Sequence, residues 1–120
     1  MSKTICAIDD NPDLLANLTE FLRLEGYVVH AFSGGSGALE YLETNVPDLI
    51  ITDLWMPAMD GLSFIQILRE RKIEVPVAVF SAKPPSDYQE EATALGVSVF
   101  IKKPSDLEEI ISKIHPLIEK

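Results

Sequence analysis

The chain has a single cysteine, Cys6, and few basic residues relative to acidic ones. One cysteine excludes an internal disulfide, and its position inside an apolar run predicts a buried thiol. The 10 lysines and arginines stand against 19 aspartates and glutamates, and this net charge of −9 argues against non-specific nucleic-acid binding. No apolar stretch is long enough for a membrane span. A predicted strand follows directly after residues 1–4, which leaves no room for a signal peptide, so we expect a cytoplasmic protein.

The chain has the length and composition of one globular domain. It has 120 residues, of which 47% are hydrophobic and 24% charged, and these proportions are too apolar for disorder. No linker, internal repeat or low-complexity segment divides the sequence. We therefore predict a single domain over residues 1–120.

Short apolar runs alternate with segments of helical periodicity along the whole chain. Five such βα units predict an α/β fold with a parallel sheet. Asn11 and Pro12 are typical of the first two positions of a helix. Two further helix starts are predicted from capping boxes, Ser86 with Gln89 and Ser105 with Glu108.

Carboxylates follow two of the predicted strands. Ile5 to Ile8 runs into Asp9 and Asp10, and the run Leu49 to Thr52 ends at Asp53. In a doubly wound sheet of order 2-1-3-4-5, the first and third strands are neighbours and their carboxyl ends share one edge. The three carboxylates should then converge, and their repulsion requires a counter-charge. Hard oxygen ligands of this kind suit Mg²⁺.

Two other predicted strand ends carry groups that suit phosphoryl transfer. Lys103 follows the fifth strand and Ser81 ends the fourth. Mg²⁺ and Lys103 can neutralise the oxygens of a transferring phosphoryl group, Ser81 can donate a hydrogen bond, and Asp53 can attack the phosphorus. The expected product is an aspartyl phosphate.

These residues together resemble a known family, the receiver domain of bacterial two-component response regulators. The resemblance covers essentially the whole chain, in order and with similar spacing. It rests on five motifs: Asp9-Asp10, Asp53-Leu54-Trp55-Met56-Pro57, Asp60-Gly61, Ser81-Ala82 and Lys103-Pro104.

The resemblance implies a flavodoxin-like, doubly wound, five-stranded parallel sheet with five helices, and a role for each matching residue. Asp53 would accept a phosphoryl group from a sensor histidine kinase or phosphotransfer protein. Asp10 would bind Mg²⁺ directly, Asp9 largely through water, and the Trp55 carbonyl would complete the metal shell. The remaining implied roles are a phosphate contact by Lys103, a switch pair of Ser81 and Phe100, and a cis peptide at Pro104.

The family also implies an output, a change in a surface that binds a downstream effector protein or output domain, with a homodimer formed on phosphorylation as a further expectation. Trp55 and Lys83 stand where the family tunes the lifetime of the phosphate. Two rivals remain: a phosphatase with an aspartate nucleophile, and a receiver-like interaction module not regulated by phosphorylation. Trp55 counts against the phosphatase, because such enzymes commonly have a second acid two residues after the nucleophile. The intact set of acids, hydroxyl and lysine counts against the module.

Overall fold

A computed structural model describes residues 2–56, 58–103 and 105–119, except the side chain of Pro85. Within these ranges, five parallel strands form one sheet in the order β2-β1-β3-β4-β5, as predicted. The strands are β1 (Thr4–Ile8), β2 (Val28–Phe32), β3 (Leu49–Thr52), β4 (Val77–Ser81) and β5 (Val99–Lys102). The reversal of strand order lies between β1 and β3, and this switch point positions the site.

Helices connect the strands and cover both faces of the sheet. They are α1 (Pro12–Leu24), α2 (Gly35–Leu42), α3 (Gly61–Glu70), α4 (Gln89–Ala94) and α5 (Leu107–Ile118). The start of α1 is as predicted, because the Asn11 side chain accepts hydrogen bonds from the backbone N–H groups of Asp13 and Leu14. Among the described residues, no helix has both the length and the apolar character needed to cross a bilayer.

The three central strands, β1, β3 and β4, are buried on both faces, and their side chains alternate between two hydrophobic cores. Cys6 and Ile8 of β1 belong to the core under α2, α3 and α4, whereas Ile5 and Ala7 belong to the core under α1 and α5. This alternation is the period of two that a strand imposes. Cys6 is fully buried, as predicted, and burial raises the pKa of its thiol to about 12.

Both predicted capping boxes are wrong. Ser86 lies inside a 3₁₀ turn, Pro85–Asp87, in which the Asp87 N–H donates to the Pro84 carbonyl, and α4 begins only after Tyr88 without a side-chain cap. At α5 the cap is Asp106, whose side chain accepts from the Glu109 N–H. Ser105 instead donates its hydroxyl proton to the Lys102 carbonyl.

Candidate functional site

The register of β1 and β3 brings the predicted carboxylates together. Ile8 pairs with Thr52, so Asp9 and Asp53 follow neighbouring positions at the carboxyl edge of the sheet. One oxygen from each of Asp9, Asp10 and Asp53 lies within 4.8 Å of the others. Asp9 and Asp53 are buried, whereas Asp10 is exposed and leaves the group open to solvent on one side. The predicted convergence of the three acids is confirmed.

Lys103 supplies the counter-charge that three carboxylates require. Its Nζ lies 2.7 Å from Asp9 Oδ2 and 3.1 Å from Asp53 Oδ2. The same Nζ lies 5.2 Å from the centre of the Phe80 ring. Lys102, its neighbour, is exposed and pairs across the sheet with Ser81. We call Asp9, Asp10, Asp53 and Lys103 the acid–lysine cluster.

The loop after β3 fixes the other oxygen of Asp53. Asp53 Oδ1 accepts hydrogen bonds from the backbone N–H groups of Leu54 at 2.7 Å and Trp55 at 3.4 Å. The loop folds back so closely that a Cβ on Gly61 would overlap the Asp53 carbonyl oxygen and lie 2.8 Å from Leu54 Cα. A glycine is therefore required where α3 begins, which explains the Asp60-Gly61 motif. Asp60 caps α3 by accepting from the Ser63 N–H at 2.8 Å.

Ser81 lies at the end of β4 and is fully buried. Its Oγ accepts a hydrogen bond from the Lys83 N–H at 3.2 Å, while its carbonyl accepts one from the Lys103 N–H at 2.8 Å. The serine thus contacts the backbone of the acid–lysine cluster on one side and the loop toward α4 on the other. Phe100 is half-buried on β5, next to β4.

Trp55 lies beside the cluster with its side chain 58% exposed. The Lys83 Nζ stands 4.1 Å from the centre of the Trp55 ring, a cation–π contact that joins the loops after β3 and β4. The Trp55 carbonyl as a metal ligand stays a prediction, and the predicted cis peptide at Pro104 lies outside the described residues.

One residue of this region was not predicted from the sequence. Tyr88 is 7% exposed, and its ring packs against Phe100 with 5.7 Å between the ring centres. Burial raises the pKa of its hydroxyl, and the carboxylates of Asp53 and Asp87 raise it further. No sequence motif marks Tyr88, and the start of the helix that follows it was predicted wrongly.

The donor set of the cluster fits a hard divalent cation. Three carboxylates with a single lysine leave excess negative charge in a partly buried space, and carboxylate oxygens with room for water are the ligands that Mg²⁺ prefers. Asp9, Asp10 and Asp53 are the residues that could hold the ion. A phosphoryl group bound there would face the cation and Lys103 together.

Comparison with known proteins identifies a family that matches most of the chain. Residues 5–115 match the profile of a family described as response regulator receiver domain. The transcriptional regulatory protein PrrA of Mycobacterium tuberculosis is 34% identical over 119 residues, which cover 99% of this chain and 51% of that protein. The alkaline phosphatase synthesis transcriptional regulatory protein PhoP of Bacillus subtilis is 29% identical over 120 residues, covering 100% of this chain and 50% of that protein. The chain thus spans about half the length of these curated relatives.

Solved structures agree on the fold. The chemotaxis response regulator CheY4 of Vibrio cholerae superposes with a TM-score of 0.91 at 24% identity, covering 98% of this chain and 99% of that one. The receiver domain of the Francisella response regulator 1452 gives a TM-score of 0.91 at 26% identity, with 98% of each chain covered. Phosphorylation-regulated switching is the standard function of this family. The chain belongs to the response regulator receiver domain family.

Proposed function

We propose that Asp53 is the phosphoacceptor of this receiver domain. One carboxylate oxygen attacks the phosphorus of a phosphohistidine on a sensor histidine kinase or phosphotransfer protein, the phosphorus–nitrogen bond breaks, and the imidazole leaves. The observation that supports this role is the setting of Asp53. It is the one acid of the cluster that contacts both Lys103 and the backbone N–H groups of the loop after β3.

Mg²⁺ is the proposed cofactor, held by Asp9, Asp10, Asp53 and the Trp55 carbonyl. When bound it neutralises charge on the phosphoryl oxygens. Lys103 pairs with the same oxygens, and it already stands within ion-pair distance of Asp53. Ser81 Oγ, which accepts a hydrogen bond from the Lys83 N–H, turns to donate its hydroxyl proton to the phosphoryl group. Hydrolysis of the aspartyl phosphate resets the domain, so the chain acts only on itself and is not a general enzyme.

Ser81 and Phe100 form the proposed switch pair. The Phe100 ring contacts Tyr88 and is only half-buried. Because part of the ring is still exposed, it can move inward when the Ser81 hydroxyl turns. Movement of the ring would alter the surface around β5 that a partner reads. The partner is a downstream effector protein or an output domain, as the greater length of the curated relatives suggests, and a homodimer formed on phosphorylation is a further form of this output.

The remaining proposals concern the chain as a whole. Residues 1–120 form a single receiver domain, with a cytoplasmic location as predicted from the sequence. The net charge of −9 argues against direct contact of this domain with nucleic acid.

The test is phosphorylation by acetyl phosphate with Mg²⁺, followed by intact mass. We expect one phosphoryl group on the native chain and on the control Asp13→Asn, whose exposed carboxylate lies in the first turn of α1. Asp53→Asn should gain none, because the amide keeps the shape and loses the nucleophile. Undiminished incorporation in Asp53→Asn would assign the phosphate to another residue. A native chain that takes up no phosphate from any donor would favour the rival, an interaction module.

A further inference from the structure

A cavity of about 350 Å³ opens beside the acid–lysine cluster, between the start of α3 and the segment that leads into α4. Leu54 and Leu62 give it an apolar lining, and the aromatic residues Trp55 and Tyr88 also line it. None of the roles proposed above for the described residues uses this space. Its size and lining are those of a pocket that receives a side chain or small ligand.

Carboxylates also line the cavity and give it a negative bias. Asp87 and Glu91 are exposed, and neither forms an ion pair or a side-chain hydrogen bond with any described residue. A third acid, Asp60, is engaged in capping α3. The cavity therefore offers two unpaired carboxylates next to aromatic and apolar groups, which favours a ligand that combines positive charge with a flat or apolar body.

The cavity already holds one cation of the chain itself. Lys83 lines it, and its ammonium lies 4.1 Å from the centre of the Trp55 ring. This contact demonstrates that a cation can occupy the Trp55 face. The ammonium reaches no carboxylate within ion-pair distance among the described residues, so Asp87 and Glu91 stay available to another cation.

Tyr88 adds an unused polar group. The residue is buried to more than nine-tenths, it lines the cavity, and its hydroxyl forms no hydrogen bond with any described residue. The oxygen is nonetheless not sealed in the interior, since Thr19 Oγ1 is the one described side-chain oxygen or nitrogen that is both fully buried and unpartnered.

We propose that this cavity binds the side chain of an arginine presented by a partner protein. A guanidinium group is planar and can stack on an indole, and its five N–H donors suit carboxylate and hydroxyl oxygens such as those of Asp87, Glu91 and Tyr88, which line the cavity. A lysine ammonium would match this arrangement less well, because it is a compact point charge without a flat face. The net charge of −9 attracts cationic partners from a distance.

Lys83 is the internal competitor for this position, and its backbone links the cavity to Ser81. The Lys83 N–H donates to Ser81 Oγ at 3.2 Å. This step rests on the proposed function: when the Ser81 hydroxyl turns to the phosphoryl group, the bond to Lys83 is lost and the loop is free to withdraw the ammonium from Trp55. The Trp55 face then becomes available to the arginine of the partner.

The test uses two small probes, N-acetyl-arginine methylamide and its neutral isostere N-acetyl-citrulline methylamide. Backbone amide shifts of isotope-labelled protein and the emission of Trp55, the only tryptophan, are followed during titration. We expect saturable shifts around Leu54, Trp55 and Tyr88 with the arginine probe only. Lys83→Gln should bind it about two- to fivefold more tightly than the native chain, the size expected when an exposed cation–π competitor is removed.

Charge variants test the carboxylates. The double variant Asp87→Asn/Glu91→Gln should weaken binding of the arginine probe at least threefold. The matched control, Glu40→Gln/Glu108→Gln, neutralises two exposed acids that do not line the cavity and should change the affinity little. Equal weakening by both double variants would overturn the site in favour of general attraction to an acidic protein. Equal binding of the citrulline probe would overturn the assignment of a cation.

The same titrations also distinguish a failure of this site from a failure of the proposed function. Lys83→Gln needs neither Mg²⁺ nor phosphate to expose the Trp55 face, so the absence of arginine binding there overturns the site itself. With Mg²⁺ and beryllofluoride, a phosphoryl mimic, the affinity of the native chain should rise toward that of Lys83→Gln. Arginine binding to Lys83→Gln together with a native chain that beryllofluoride leaves unchanged would overturn the link through Ser81.

Discussion

The two sides of the site differ in how firmly they are held. In the acid–lysine cluster, Asp9 and Asp53 are buried and bonded to Lys103, and each follows a central strand directly. The segment from residue 82 to 94 contains a 3₁₀ turn and the six-residue helix α4, which has no side-chain cap. The difference indicates that the acid–lysine cluster keeps the reacting groups in place. The segment from residue 82 to 94 can rearrange at a low cost in free energy when the phosphoryl group binds.

The largest effect should come from filling the space that the loop after β3 needs. Gly61→Ala would press a methyl group into the Asp53 carbonyl and Leu54, both of which are backbone and cannot move aside like a side chain. We expect the free energy of unfolding to fall by on the order of 3 kcal/mol and phosphorylation to slow, because Asp53 shifts. Urea unfolding and acetyl phosphate kinetics measure both.

Gly37→Ala is the matched control for this prediction. Gly37 lies inside α2, and a Cβ there would meet only the Phe32 side chain, at 3.4 Å. Alanine should stabilise the helix by about 0.5–1 kcal/mol. Equal stability of the Gly61→Ala and Gly37→Ala variants would show that the loop after β3 is as adaptable as the segment before α4.

The next effect concerns Lys103, the cation of the acid–lysine cluster. Lys103→Met removes the charge and retains much of the stem, so the carboxylates of Asp9 and Asp53 repel each other without compensation. The metal-free protein should lose about 2 kcal/mol of unfolding free energy, whereas Mg²⁺ should bind more tightly because a competing cation is gone. The response to beryllofluoride should weaken, since Lys103 no longer pairs with its fluorines.

Lys102→Met is the control, because Lys102 is exposed and forms no ion pair among the described residues. It should change neither the stability nor the Mg²⁺ affinity. Weaker Mg²⁺ binding by Lys103→Met would mean that the lysine organises the acids for the metal and does not compete with it.

A smaller effect on the free energy of unfolding concerns β1, the strand that precedes Asp9. Burial raises the pKa of Cys6 in β1 from 9.0 to about 12, so between these values the unfolded chain releases a proton that the folded chain retains. The contribution of this thiol to the free energy of unfolding is therefore fully present below pH 9. It falls as the pH rises, by about 1 kcal/mol at pH 10. Chemical unfolding at pH 8 and pH 10 measures the change, and Cys6→Ala should make it smaller. The pKa values of Tyr27 and Tyr41 are also raised by burial and act in the same direction, so the dependence should not disappear.

The same contrast explains which features the sequence could predict. The order of the sheet, the convergence of Asp9, Asp10 and Asp53, and the end of β4 at Ser81 follow from strand ends, because a parallel sheet brings all carboxyl ends to one edge. The start of α4 could not be predicted, since Ser86 and Gln89 have the spacing of a capping box but the chain turns at Pro84 and Pro85 instead.

Two side-chain contacts between separate elements could not be predicted from the sequence either. The stacking of Lys83 on Trp55 and the packing of Tyr88 on Phe100 join segments that are distant along the chain, and no local pattern encodes the distance between them. The cap of α5 was missed for a simpler reason. Ser105 and Asp106 are adjacent residues that both suit the position, and the structure uses the aspartate.

The prediction with the smallest effect on the free energy of unfolding is also the most direct test of the movable side of the site, the segment from residue 82 to 94. Trp55 emission should change when Mg²⁺ binds the adjacent acids and change again when beryllofluoride binds, because the Trp55 backbone N–H donates to Asp53 Oδ1 and the Lys83 ammonium lies over the indole. In Ser81→Ala the Mg²⁺ response should stay, since no acid is altered. The beryllofluoride response should fall to less than half, because the alanine has no hydroxyl through which the phosphoryl mimic could draw Lys83 away.

Ser112→Ala on α5 is the control for the loss of a hydroxyl, and Asp53→Asn is the control for the loss of the phosphoryl site. The first should respond like the native chain, and the second should not respond to beryllofluoride at all. A chelator should suppress the effect of beryllofluoride in every variant, because without a cation the mimic would face uncompensated carboxylates. If Ser81→Ala responded as fully as the native chain, the signal would reach Trp55 through the loop after β3 alone. The contrast between a fixed and a movable side would then have to be abandoned.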